Sequence, residues 1–333
     1  MRLCIEPPPV YFMHVPKTGG VALGQWLRRA YGSSYFDLDL PQIVGLTGRN
    51  IQDFRCYHAW HHDRSLFAWL GRADLIVFTM VRDPIERAVS AFKFHQRRLV
   101  EHPERFTDGY RATMKFLSEQ TLEECLSSER VTEMLSDSQV RVLGSRRDYP
   151  AFIAARRQHH QTDRLLRPYA VPWLGAHNTT SVLYTNASAW LDEMAVVGLT
   201  ERYAESLLMI GDLLGIPVPA DLPRANVNPQ RTDPAMRYRD QLAPEVVAQL
   251  QEMNCYDQEL YAHAQELFEQ QWARYQTRPR RTYSIAPRLR TTLNRTKSGL
   301  KGWLRRTWPG VADQLSQMRA KHRSKATING QRQ

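Results

Sequence analysis

Residues 10–20 read VYFMHVPKTGG, an apolar run that breaks abruptly into a proline, a lysine, a hydroxyl and two glycines. The run from Val10 does not alternate apolar with polar residues, which is the pattern of a strand covered on both faces. From about Gly20 to Tyr31 the apolar residues Val21, Leu23, Trp26, Leu27 and Ala30 recur at helical spacing. PKTGG is therefore a strand-to-helix turn, the usual seat of a phosphate in a parallel α/β sheet. Its order is inverted relative to the ATPase loop G-x-x-x-x-G-K-[ST]: Lys17 and Thr18 come before Gly19 and Gly20.

A second buried strand is expected at Asp74–Val81, DLIVFTMV, rich in β-branched and aromatic residues. It runs into RDPIERAVSAFKFHQRR, where Asp83 can cap a helix, Pro84 suits the first turn, and Ile85, Ala88, Val89 and Phe92 supply its buried face. Arg82 ends the strand and Ser90 lies about two helical turns further on. Two such turns, each carrying a cation and a hydroxyl, suggest two phosphate positions on one ligand. Glu86 and Arg87 read as a local helix ion pair.

Downstream, SVLYTNASAW reads as strand or short helix, Met194–Leu199 as a strand, and the stretch from Glu201 as a helix closed near Gly215. Residues from about Pro103 to Gln161 are polar with helical tendency and are expected to form a helical insertion. Pro217–Pro234 reads as a loop, and 243–272 as a strongly periodic helical pair. The expected architecture is an α/β, P-loop-like three-layer domain over 1–275 with a central parallel sheet. A basic tail, amphipathic or disordered, follows over 276–333.

The chain has 333 residues and a net charge of +11, but that charge is localised. Residues 271–333 hold 16 Lys and Arg against one acid, leaving 29 basic and 33 acidic residues in 1–270. A near-neutral body without a basic, aromatic-studded face argues against a nucleic-acid partner. Trp303 and Trp308 among Lys301, Arg305 and Arg306 give the tail an amphipathic character suited to an anionic membrane surface. Four cysteines without C-x-x-C pairs offer neither a zinc site nor a disulfide framework. No apolar segment reaches the ~20 residues of a membrane span, and the N-terminus lacks a signal peptide's apolar region. The expectation is a cytoplasmic chain, able to sit peripherally on a membrane, with a Golgi location disfavoured by the missing N-terminal anchor.

HVPKTGG and VRDPIERAVSAF together resemble the two donor-binding motifs of sulfotransferases that use 3′-phosphoadenosine 5′-phosphosulfate, PAPS. The similarity extends to the carbohydrate branch containing the heparan sulfate 2-O- and 6-O-sulfotransferases, through TLEEC (121–125), SQVRVLG (138–144), VVGLTERYAESL (196–207) and NCYDQELYAHAQELF (254–268). The resemblance implies that Lys17, Thr18, Gly19, Gly20 and Val21 cradle the 5′-phosphosulfate and that Arg82 and Ser90 hold the 3′-phosphate. It also implies PAPS as donor, a carbohydrate or glycolipid hydroxyl as acceptor, and no metal. Sulfuryl transfer is an in-line displacement in which protein supplies position and charge, so Lys17 suits the leaving oxygen.

The acceptor hydroxyl must lose a proton, and FRCYHAWHHDR offers His58, His61 and His62 between the two motifs. The 2-O enzymes carry Y-H-x-H where this chain has Tyr57-His58-Ala59-Trp60, so His58 ranks first, His61 second and His62 third. The bland reading is that these histidines line a polar loop. Gln139 and Arg141 are weaker contact candidates. Two other classes stand beside the transferase: a P-loop-like nucleotide kinase or NTPase, and a catalytically inactive glycan- or membrane-binding relative.

Overall fold

The computed structural model describes residues 6–38, 50–60, 62–101, 115, 117, 119–146, 148–150, 180–219 and 236–278. Strand β1, Val10–His14, is buried along its whole length and occupies the middle of a five-stranded, all-parallel sheet. With β2 (Tyr35–Leu38), β3 (Cys56–Trp60), β4 (Ile76–Val81) and β5 (Val196–Leu199), the strand order is β2-β3-β1-β4-β5. Burial on both faces explains why β1 and β4 read as continuous apolar runs. The chain leaves β1, fills the β3 side, then crosses to β4 on the other side. A crevice beyond the carboxyl end of β1 is the place such a topology offers a ligand.

Helix α1, Gly20–Tyr31, follows the first turn as its apolar spacing requires. After β3 come α2 (Arg64–Leu70), β4 and α3 (Pro84–Glu101). Asp83 Oδ1 accepts from the N–H groups of Ile85 and Glu86, both at 3.0 Å, so the expected cap is formed. Short helices α4 (Leu122–Cys125), α5 (Glu129–Leu135) and α6 (Ser138–Gly144) occupy part of the expected helical insertion. Residues 103–114 and 151–161 of that insertion lie outside the described residues, as do 162–179 after it. The ambiguous segment before β5 is helix α7, Thr180–Asp192. Helix α8, Tyr203–Leu214, closes on Gly215 at φ 68°, and the helical pair is α9 (Pro244–Met253) and α10 (Cys255–Thr277). The tail from 279 onward is likewise outside the described residues.

Sheet register sorts the core into two faces. Tyr11 packs its ring on Phe67 of α2, which in turn meets Trp190 of α7. Phe12 and His14 face the other way, where Phe12 stacks on Phe78 and on His58. A second apolar cluster joins α3, α4, α5 and α9 through Val89, Phe92, Leu122, Leu135 and Leu250. Residues 56–60 therefore require a correction: they are a core strand paired with both β1 and β2, and not the polar loop of the bland reading. The strand was hidden because the face it shares with β1 carries a histidine whose polarity is satisfied internally.

The Glu86–Arg87 ion pair is also corrected. On a helix adjacent residues point apart. Glu86 reaches back to Arg82, whereas buried Arg87 reaches Asp257, with Nε–Oδ2 at 3.7 Å, and donates to Leu135 O at 2.6 Å. Asp257 and Asp137 then join α6 to α10 reciprocally. Asp257 accepts from Gln139 N and Val140 N, at 3.1 and 2.8 Å, while Asp137 Oδ1 accepts from Asp257 N at 2.8 Å. Each carboxylate caps the other's helix.

Candidate active site

The β1–α1 turn gets its shape from backbone conformations side chains rarely adopt. Lys17 has φ 69° and Gly19 φ 84°. Left-handed geometry at a lysine is costly and persists where surrounding structure enforces it. Thr18 Oγ1 donates to Val15 O at 2.8 Å, and Thr200 Oγ1, beyond β5, donates to Thr18 O at 3.0 Å. Tyr203 OH donates to Gly19 O at 3.3 Å, its ring lying where a Cβ on Gly19 would meet it at 3.0 Å. Among the described residues no side chain caps α1, whose initial N–H groups have no acceptor within the helix. Gly20 is buried, Gly19 exposed and Val21 half-buried.

Lys17 Nζ lies 4.0 Å above the ring centroid of Phe94 and has no carboxylate partner among the described residues. Burial, reinforced by Arg82, Arg97 and Arg98, pushes its ammonium down to about 7. The same surroundings, burial first and then Lys17, push His95 down to about 4. Several cations therefore converge on one place; Glu86 and Glu201 face Arg82 and Glu101 pairs with Arg97, while Lys17 has no carboxylate partner among the described residues.

Arg82, at the end of β4, is brought to the turn: its Nη1 donates to Lys17 O at 3.3 Å. Nη2 donates to Glu86 Oε2 at 3.4 Å, and Nε stands 3.9 Å from Glu201 without a hydrogen bond. Three contacts this long leave much of a five-donor guanidinium available. Its backbone is fixed far more tightly. Gln139 accepts from Arg82 N and donates to Arg82 O, both at 2.9 Å. Gln139 thus spends its amide on holding Arg82 in place.

Ser90 is half-buried and makes no hydrogen bond among the described residues. It sits one turn after Glu86, which touches Arg82, and one turn before Phe94, which touches Lys17. Residues four apart share a helix face, so Ser90 lies on the face turned toward both cations. The first four elements of the expected donor site, the turn, Lys17, Arg82 and the Ser90 face, are brought together.

The histidines are distributed differently. His58 is buried on β3, with Nδ1 2.6 Å from Tyr35 Oη and 3.5 Å from Asp37 Oδ1, and Nε2 2.9 Å from Nδ1 of His14. Burial pushes its imidazole down, and Asp37 offsets part of that. His62 is buried away from this row, its Nδ1 3.1 Å from the hydroxyl of Tyr149. His61 lies outside the described residues. Sequence reasoning passed over His14, Asp37, Glu201 and Tyr203, and offered Gln139 only as a weaker contact candidate. A cue existed for one pair: Gly20 and Gly24 stand four apart on α1, and a glycine pair on one helix face marks a close approach.

A parallel sheet with a strand-to-helix turn beyond its central strand and a second cation on the adjacent strand is the arrangement at which α/β domains bind phosphate groups. The Sulfotransferase family matches residues 6–264, and the chain belongs to that family. It is also similar to a protein-tyrosine sulfotransferase of Arabidopsis thaliana, 36% identical over 99 residues, a match covering 28% of this chain and 19% of that protein.

Proposed function

We propose that the protein transfers the sulfuryl group of PAPS to a hydroxyl of a carbohydrate or glycoconjugate by in-line displacement, with proton removal centred on His58. The observation that carries the reading is the contact of Arg82 with the Lys17 carbonyl, because it places the two motifs within one ligand's reach. The fit to a doubly charged nucleotide rests on this chain's own atoms: an uncapped helix start, Arg82 Nε without a hydrogen bond, and Lys17 among cations. Lys17 would meet the bridging oxygen and the 5′-phosphosulfate, together with the N–H groups of Gly19, Gly20 and Val21. Arg82 and Ser90 would hold the 3′-phosphate. Family membership and the inverted glycine order favour this reading over an NTPase.

The test is binding of 3′-phosphoadenosine 5′-phosphate against ADP and ATP in magnesium-free buffer. Preference for the 3′-phosphorylated nucleotide by about 100-fold is expected from two or so charge-assisted hydrogen bonds. Equal affinity for ATP would overturn the proposal. A tyrosine acceptor is the second reading, favoured by the name of the Arabidopsis relative. Labelled PAPS offered to polysaccharides, glycolipids and tyrosine peptides separates the two. For the tail, we propose contact with an anionic membrane surface; deletion of 284–333 should abolish binding to anionic liposomes, and unchanged binding would refute it.

A further inference from the structure

Arg82 stands between two carboxylates. Glu86 Oε2 is 3.4 Å from its Nη2, and Glu201 Oε1 is 3.9 Å from its Nε. Both carboxylates are anchored by other groups. Glu86 Oε1 accepts from Arg239 N at 3.1 Å, and Glu201 accepts from Asp83 N at 3.1 Å and from the Tyr261 hydroxyl at 2.9 Å. Neither is released simply because an anion approaches the arginine. One guanidinium facing two fixed carboxylates leaves this corner short of positive charge for a phosphate group that carries nearly two negative charges.

Lys93 is a second cation at the same corner. Its ammonium lies 4.7 Å from the ring centroid of Tyr238, and the guanidinium carbon of Arg82 lies 6.0 Å from that same centroid. One buried ring thus has both cations within reach of its π-system. Lys93 has no carboxylate partner among the described residues. Along α3, Glu86, Ser90 and Lys93 follow at spacings of four and three, so they share one face of the helix. Helical side chains lean toward the N-terminus, which carries the lysine stem back over the Ser90 turn in the direction of Arg82. The later cations of α3 serve the other end of the cleft: Arg97 and Arg98 depress the Lys17 ammonium, and Lys93 does not.

We propose that Lys93 is a further specificity-determining residue, a second cationic contact for the 3′-phosphate beside Arg82 and Ser90, with the Tyr238 ring as the seat of its ammonium in the ligand-free protein. This rests on the sulfotransfer reading and deepens it by naming the charge that distinguishes a 3′-phosphate from a 3′-hydroxyl. The ring attracts the ammonium without consuming any of its three protons, so all three stay available to phosphate oxygens. The flexible four-carbon stem of lysine spans the remaining distance. A 3′-phosphorylated nucleotide then meets two cations and a hydroxyl. A nucleotide ending in a 3′-hydroxyl gains nothing from Lys93, so the loss of this one charge is felt by the first ligand alone.

The experiment is titration calorimetry of the full chain with 3′-phosphoadenosine 5′-phosphate and with ADP. In Lys93→Met, which keeps an unbranched apolar stem, affinity for the 3′-phosphorylated nucleotide is expected to fall about tenfold, the loss of one charge-assisted hydrogen bond. ADP affinity should stay within threefold of wild type, and Lys93→Arg should stay within threefold for both ligands. An equal change for the two ligands in Lys93→Met, or no change for either, would overturn the proposal. A tenfold loss in Lys93→Arg as well would place the effect in packing and overturn it too. Acetylation of the unaltered chain, read by peptide mass spectrometry, removes dependence on folded variants. Lys93 is half-buried and borders an open cleft with Phe92, Gln96 and Leu122, so a reagent can reach it. At saturation, 3′-phosphoadenosine 5′-phosphate should protect Lys93 and ADP should not; equal modification with either ligand bound would refute the assignment. A wild-type chain that binds ADP as tightly as the 3′-phosphorylated nucleotide would instead defeat the sulfotransfer reading.

Discussion

The two strand-to-helix turns perform similar work with different materials. The β1–α1 turn takes its form from the main chain: a left-handed lysine, a left-handed glycine, and a glycine pressed against an imidazole. At the β4–α3 turn a helix cap, an amide clamp and two carboxylates surround one arginine. A backbone-built turn presents N–H groups, which suit a phosphate oxygen of changing charge. A side-chain-built turn presents a fixed cation, which suits a group that only has to be recognised. The first should therefore govern rate, and the second nucleotide choice.

The largest effect expected from this division is in Lys17→Ala. Removing the ammonium that we propose meets the bridging oxygen should cost about 10³-fold in kcat, at the upper end for one preorganised electrostatic donor. Binding of 3′-phosphoadenosine 5′-phosphate should weaken by much less. A loss confined to KM would place Lys17 on the recognition side and break the comparison.

Arg82→Lys should do the reverse. Lysine keeps the charge but loses the fork of donors. A loss of about 30–100-fold in affinity for 3′-phosphoadenosine 5′-phosphate is expected, with ADP affinity changed less than threefold. Isothermal titration of both ligands reads the outcome. An equal drop for both would mean that Arg82 serves the 5′ end.

A third effect concerns pH. In the free protein Lys17 is pushed down to about 7 by burial and by Arg82, Arg97 and Arg98. An anionic ligand beside it restores the proton, so binding above that pH must take one up. Affinity should be nearly constant below pH 7 and fall about tenfold per unit above it, until the ligand-bound pKa is reached. Proton uptake is measurable by titration in buffers of different ionisation enthalpy. A flat profile to pH 9 would show that Lys17 does not face the ligand.

What the sequence disclosed follows the same division. Main-chain features were legible because glycine, proline and unbroken apolar runs announce them locally: β1 and α1 begin and end where the pattern placed them. Side-chain partnerships were not. Gln139 and Arg82 are 57 positions apart, and nothing near either residue marks the other. Strand β3 escaped because His58 is polar yet buried, and its apolarity is replaced by bonds to Tyr35 and His14 from two other strands. Arg87 was assigned to its neighbour because the Asp257 carboxylate reaches it only through the packing of α10.

The smallest effect sharpens the comparison most, because it alters the frame of the second turn without touching its cation. Gln139→Leu deletes the two bonds to the Arg82 main chain while keeping much of the side-chain volume. The Arg82 N–H and C=O then lose a partner in the interior, and leaving such groups unpaired costs about 1–3 kcal/mol each. Relaxation of the β4 end should hold the total to a stability loss of about 2 kcal/mol, readable as a lower denaturation midpoint at unchanged m. If rate belongs to the first turn, kcat at saturating donor should stay within threefold while affinity for 3′-phosphoadenosine 5′-phosphate falls about fivefold. If kcat falls with it, the two turns are not independent. The single bond from Arg82 Nη1 to the Lys17 carbonyl would then be the coupling between recognition and rate, and the double variant with Arg82→Lys would show it as non-additive loss.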